Sequence, residues 1–266
     1  MENQNTKQKI KYGYIPDIIH AEDYVFGGQQ IAGLPIVLNG QWDDFLPVKE
    51  LQSKKIETMN CTSFGTLNAL EILINRVFKI KVNYSDRFLG IVAGTNPSGN
   101  SPNKVAETIR KCGIINEELL PFDETIDEWK KYYSPFPMTD YLLRLGKKWL
   151  SKYDFKHEWV SNNSEELKKA LMFSPLGVSV YAWEQKGNYY VKPEGVSDNH
   201  WCLLYGFLEG KYWKIFDSYD NTKKQLDWNF KFGLVKRYSI SPMLKKTFWE
   251  VIHNFFLSLL NKFRNI

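Results

Sequence analysis

Three residues have the types and order that covalent acyl chemistry needs: Cys61, then His200 roughly 140 residues later, then Asp217. A cysteine attacks as the thiolate, and a helix N-terminus favours that anion through its unpaired backbone N–H groups and its dipole. Cys61 stands where a polar, loop-like stretch, Gln52 to Asn60, gives way to apolar residues at Phe64, Leu67, Leu70, Ile74 and Phe78. That spacing predicts a helix with one buried face, with Asn60 as its N-cap and Cys61 in its first turn. The sequence therefore predicts a lowered pKa for this thiol and faster alkylation of Cys61 than of Cys112 or Cys202.

A general base must come from four histidines. His20 lies in the N-terminal arm, His157 in the charged run Lys156-His157-Glu158, and His253 in the C-terminal segment. His200 differs because it opens a strongly apolar strand, His200 to Phe207, and the following strand, Tyr212 to Phe216, leads straight into Asp217. Paired antiparallel through a turn at Glu209-Gly210, the two strands bring Asp217 beside His200. There a carboxylate can fix the imidazole tautomer and orientation needed for proton transfer. Taken alone, a cysteine at a helix start is more often a small buried hydrophobe. The joint order of turn, cysteine and helix, then a histidine strand and an aspartate strand, is the informative signal.

The elements that must hold these residues change character along the chain. Residues 1–41 are poorly periodic, broken by Gly27-Gly28 and Gly33, and read as an arm that wraps the body or lies in its cleft. In the latter case, deleting residues 1–30 raises activity on small peptides. The helix after Cys61 runs to about residue 79, a loop spans 94–103, and a short helix covers Lys104 to Cys112, ended by Gly113. Helical pieces between Asp123 and Trp149 are interrupted by Pro135 and Pro137. Ser164 is predicted to cap a helix through Met172, and Gly177 to Trp183 alternates as a strand. Helices first and antiparallel strands later indicate an α+β chain of two lobes, about 53–150 and 155–242, within a catalytic unit spanning 42–242.

Composition narrows the function classes. The chain has 266 residues, 43% hydrophobic and 15% aromatic, as a packed protein requires. Its net charge of +5 is spread out, with no dense basic run and no nucleic-acid motif, so no nucleic-acid partner is expected. Three cysteines without CxxC spacing argue against a zinc site, and no metal or cofactor is expected. The polar start Met1-Glu2-Asn3-Gln4-Asn5 has no apolar signal region, which points to free thiols and a cytoplasmic or virion-associated protein.

At four places the sequence resembles the papain-like cysteine peptidases. Trp42-Asp43-Asp44-Phe45-Leu46-Pro47-Val48-Lys49-Glu50-Leu51-Gln52 is similar to that family's lead-in, in which a Trp precedes a Pro-Val-Lys step and a Gln. Cys61-Thr62-Ser63-Phe64 is similar to its Cys-Trp-Ala-Phe, His200 to Phe207 to its histidine strand, and Tyr212 to Tyr219 to its Tyr-Trp…Asn-Ser-Trp strand. The resemblance implies a papain-like two-lobed fold, a helical lobe followed by an antiparallel sheet lobe. It also implies hydrolysis of peptide or amide bonds by Cys61, His200 and Asp217, with Gln52 supplying an oxyanion-hole amide. Three departures stand out. The stretch from Gln52 to Cys61 is about three residues longer, Thr62 replaces Trp, and Asp217 replaces Asn. As an anion, Asp217 is expected to raise the imidazole pKa more than an amide does and so shift the pH optimum. The departures suggest a divergent bacterial or viral protein.

Two other readings use the same residues: a different Cys-His-Asp acyl-transfer enzyme, transglutaminase-like or bacteriocin-processing-like, and a silent papain fold serving as a structural or binding module. Beyond the resembling part, residues 243–266 are predicted to form an amphipathic helix with Leu244, Phe248, Val251, Ile252, Phe255, Leu259, Leu260 and Phe263 on its apolar side. It is expected to pack on the body, or to meet a partner protein or membrane surface.

Overall fold

The computed structural model describes residues 12–28, 34–123, 125–134, 138–220 and 222–243. The predicted C-terminal helix from Leu244 onward and the prolines at 135 and 137 lie outside the described residues. Six helices appear among the described residues: α1 (Cys61–Phe78), α2 (Asp86–Val92), α3 (Pro102–Cys112), α4 (Trp129–Tyr132), α5 (Asp140–Leu150) and α6 (Ser164–Leu171). The strands are β1 (Tyr153–Val160), β2 (Leu176–Val180), β3 (Glu184–Lys186), β4 (Tyr189–Val191), β5 (His200–Leu208), β6 (Tyr212–Phe216), β7 (Lys224–Asp227) and β8 (Val235–Pro242). They form one sheet in the order β1-β8-β2-β5-β6-β7-β4-β3. Every pairing is antiparallel except a single parallel bridge between Tyr190 of β4 and Leu226 of β7.

Helix α1 starts at Cys61 and ends one residue short of the sequence expectation, with Lys79 in the left-handed region closing it through its N–H to the Asn75 carbonyl. The predicted single buried face is an underestimate. Residues 61–74 of α1 are buried all round, because β5 covers one side and α2 and α3 the other. Leu67, Leu70, Leu73 and Ile74 join Leu203, Leu204 and Ile215 in one continuous core. Each such side chain contributes about 1.5–3 kcal/mol by leaving water. Close approach of α1 to β5 depends on Gly65, where a Cβ would stand 2.8 Å from the Trp201 ring.

Asn60 occupies the N-cap position, but its side chain does not cap α1. It donates instead to the Asp86 carbonyl at 2.8 Å and to the Tyr132 hydroxyl at 3.1 Å, because this helix start is buried against α2 and α4. The cap of α6 is Asn163, whose side chain accepts the Glu166 N–H, so Ser164 is the first helical residue instead of the cap.

The arm wraps the body and also runs over the starts of α1 and β5. Phe26 N–H and Trp159 N–H exchange backbone bonds with Trp159 and Tyr24 along β1, and Ile36 and Val37 donate to Met172 beyond α6. Further back, Ile15 N–H donates to the Asn100 carbonyl and Asn100 N–H to the Gly13 carbonyl, both at 2.9 Å. Trp42 then plugs the core, fully buried, its indole N–H on the Leu171 carbonyl.

Candidate active site

Strand register brings the histidine and the aspartate together. Leu203 of β5 faces Phe216 of β6, so Asp217, one residue past β6, lies level with the first residues of β5. His200 Nε2 and Asp217 Oδ1 are 2.7 Å apart, and both side chains are 0% exposed. Nδ1 of His200 is buried with no hydrogen-bond partner among the described residues. Cys61 comes from the other lobe. It shares a buried cluster with Trp201, the residue after His200, whose backbone N–H favours the thiolate, so the start of α1 lies against the start of β5.

Gln52 reaches the same place and is held at both ends. Its Oε1 accepts the Ser218 hydroxyl at 2.9 Å, and its backbone N–H donates to the Ser218 carbonyl at 2.8 Å. The two hydrogens of its amide nitrogen go to Glu57 Oε1 at 2.8 Å and to the carbonyl of Tyr12 at 3.2 Å. The longer connection between Gln52 and Cys61 therefore loops out and returns Glu57 against the amide, and the Glu57 carboxylate also takes the Met59 N–H. Burial raises the pKa of Glu57, against the opposing effect of the Gln52 and Met59 hydrogen bonds.

Electrostatics at Asp217 is a balance. Burial pushes its carboxyl up, but the neighbouring His200 and Lys224 outweigh burial and hold it down at about 2. Lys224, at the start of β7, sits 3.0 Å from Asp217 Oδ2 and 2.6 Å from Asp220 Oδ1 and is itself buried. Its ammonium lies over the Trp183 ring, 5.1 Å from the centroid. The extra negative charge that Asp217 brings in place of an amide is thus met by a buried cation. Glu57, Ser218 and Lys224 were not among the residues read from sequence. Ser218 lay next to Asp217, but neither Glu57 nor Lys224 carried a spacing signal.

One sequence expectation is reversed. The Cys61 thiol is raised, not lowered, because it is fully buried, and this desolvation exceeds the help from the Trp201 and Thr62 N–H groups. The burial comes partly from the arm. Tyr14 packs with Cys61 and Trp201 in one buried cluster, and the ring of Tyr12 lies 5.2 Å from that of His200.

No protein-family model matches the sequence, and no curated protein sequence matches it. Solved structures do match. The chain superposes on xylellain, a cysteine protease from Xylella fastidiosa, with a TM-score of 0.56 at 19% identity, covering 86% of this chain and 96% of that one. The fold is papain-like. The same papain-like frame aligns with digestive procathepsin L 3 of Tenebrio molitor larval midgut, at a TM-score of 0.55 and 15% identity over 77% of this chain and 69% of that one. It also aligns with the proform of the ragweed pollen cysteine protease Amb a 11, at 0.54 and 17% over 78% and 66%. Cys61 and His200 stand at the starts of different elements, α1 and β5, and Tyr12 and Tyr14 of the arm pack over both.

Proposed function

We propose that this papain-like chain is a cysteine peptidase that hydrolyses peptide or amide bonds through an acyl-enzyme on Cys61. The observation that carries the reading is the Asp217–His200 pair. Asp217 occupies Nε2 and so leaves Nδ1 as the imidazole nitrogen available to a thiol that abuts the same strand. Proton transfer from Cys61 to Nδ1 gives a thiolate and an imidazolium, the latter stabilised by Asp217. The thiolate adds to the substrate carbonyl carbon. The resulting oxyanion is met by the N–H of Cys61, which as the first residue of α1 has no acceptor within the helix, and by the Gln52 amide. Collapse of this adduct expels the amine, which takes the proton from His200. Water, giving a proton to the same nitrogen, then releases the acid and regenerates the thiol.

The described state is closed to substrate. A substrate carbonyl needs the same Gln52 hydrogen that the Tyr12 carbonyl holds, so the arm must leave before a peptide can bind. In a chain whose arm has been displaced, Gln52→Ala is expected to lower kcat by about 10²–10³, and Cys61→Ala to remove turnover. Steady-state hydrolysis of a fluorogenic peptide amide checks both. Equal rates for Cys61→Ala and its parent contradict the reading.

A further inference from the structure

We propose that Glu57 is a positioning residue of the oxyanion hole, holding the Gln52 amide with its nitrogen, not its oxygen, on the side where the Tyr12 carbonyl lies. The proposal rests on the peptidase reading above, in which a Gln52 N–H meets the oxyanion. A glutamine carries two donors at one end of its amide and an acceptor at the other, in nearly the same shape. Half a turn of the amide would therefore set a carbonyl oxygen against the developing negative charge.

The partners of the amide show which group decides between the two arrangements. Ser218 Oγ, 2.9 Å from Gln52 Oε1, is a hydroxyl and can serve either end by rotating its hydrogen. The Tyr12 carbonyl, 3.2 Å from Nε2, accepts only, but it belongs to the arm and leaves with it. Glu57 Oε1 lies 2.8 Å from Nε2 and also takes the Met59 N–H at 2.9 Å. With two N–H groups already on it, Oε1 is an acceptor in either protonation state of the carboxyl. Among the described residues it is the side chain that fixes the amide once the arm has gone.

The connection from Gln52 to Cys61 is shaped to deliver this carboxyl. The N–H and hydroxyl of Thr58 both return to the Gln52 carbonyl, at 3.4 and 3.0 Å, and Ser53 pairs with Glu57 across the loop. Met59 takes the left-handed region at φ 56°, uncommon for a residue with a side chain, and its N–H is the one that Glu57 accepts. An acid here is otherwise unfavourable. Its Oε2 is buried with no partner among the described residues, and its charge opposes the Cys61 thiolate. The hold on Gln52 and Met59 is what offsets both effects.

The test uses the full chain carrying Tyr14→Ala, which removes one buried ring of the arm and leaves Met59, the other partner of Glu57, in place. Steady-state hydrolysis of a fluorogenic peptide amide is measured for this parent and with Glu57→Ala, Gln52→Ala and both. Glu57→Ala is expected to lower kcat by about 10-fold to 10²-fold, as for a lost hydrogen bond to a charged group, with KM little changed. In the Gln52→Ala background the same substitution should alter kcat by no more than about twofold, since a residue that acts through Gln52 then has nothing to position. Glu57→Gln keeps the shape and an acceptor oxygen but can also donate, so its kcat should fall between those of the parent and Glu57→Ala, and it replaces the latter should that variant not fold. Losses that multiply in the double variant, or a Glu57→Ala kcat equal to the parent's, overturn the proposal. A second measurement needs no turnover. With Cys61→Ala and isotope-labelled glutamine, one Gln52 Nε2 proton is expected downfield of those of exposed glutamines in the NMR spectrum, and Glu57→Ala should return it to their range. A shift indifferent to Glu57 overturns the hold itself, whereas a shift that depends on Glu57 in a chain whose Cys61 form cleaves nothing supports the hold and counts against the peptidase reading alone.

Discussion

Gly13→Val in the full chain is expected to raise kcat/KM on small peptide amides by about 10². In the wild-type arrangement the arm holds the cleft through the Tyr12 carbonyl on Gln52, the Gly13 and Ile15 backbone bonds to Asn100, and two buried tyrosines. Each buried ring contributes about 2 kcal/mol, and much of the sum is offset by ordering the arm, at about 1–2 kcal/mol per residue. A net closure of about 3 kcal/mol leaves the open state near 1% of molecules, and apparent substrate affinity falls by the same fraction. Valine cannot occupy this position, both because φ is +96° and because its Cβ would overlap the Met59 backbone. The same displacement lets water reach Cys61. Burial is the first cause of its raised pKa, so exposure lowers that pKa and increases the thiolate fraction at neutral pH. Rates on a fluorogenic amide, compared between wild type and Gly13→Val, check this. Equal rates in two folded proteins would show that the arm does not control the site.

The second large effect concerns the Asp217–Lys224 pair. Asp217→Asn removes the anion but leaves the Lys224 ammonium buried, with Asp220 and Thr222 as its remaining partners. A buried charge stripped of its partner typically costs about 3–5 kcal/mol, and because Asp220 remains, a loss of about 3 kcal/mol is expected. The double variant Asp217→Asn with Lys224→Met should recover more than half of it, since neither charge is then uncompensated. Urea unfolding of the two variants and the parent measures the difference. A double variant no more stable than Asp217→Asn alone would contradict the pairing. The pH dependence follows from the same balance. The folded pKa of Asp217, about 2, lies below that of an unfolded aspartate, so its stabilisation is fully present above about pH 4 and is lost as pH falls through about 2. Its size is on the order of 2 kcal/mol. Lys224→Met removes one of the two groups holding that pKa down and should move acid unfolding to higher pH.

Much of the site was legible because it lies in short, local signals. The loop-to-helix change fixed the start of α1 at Cys61, and the apolar runs of β5 and β6 with their turn placed Asp217 beside His200 through simple register. What escaped was made by tertiary packing. Lys224 reaches Asp217 from the next strand, and the second of two adjacent lysines at the start of a short strand looks like any surface charge. Glu57 meets Gln52 only because the longer connection folds back on itself. Asn60 looked like a cap, and its position is that of one, but burial of the helix start turned its side chain to Asp86 and Tyr132. The thiol failed expectation for a similar reason. A helix N-terminus lowers a pKa by a modest field, and complete burial under Tyr14 opposes it with a larger effect.

Thiol labelling tests the central claim most directly. The full-length Gly13→Val chain would be treated with a thiol-directed epoxide at neutral pH, digested and mapped by mass spectrometry, beside the same chain carrying His200→Ala. The account predicts an adduct on Cys61 formed far faster than on Cys112 or Cys202, slow in wild type and slow again without His200. Equal labelling of the three cysteines, or a Cys61 rate indifferent to His200, would contradict it.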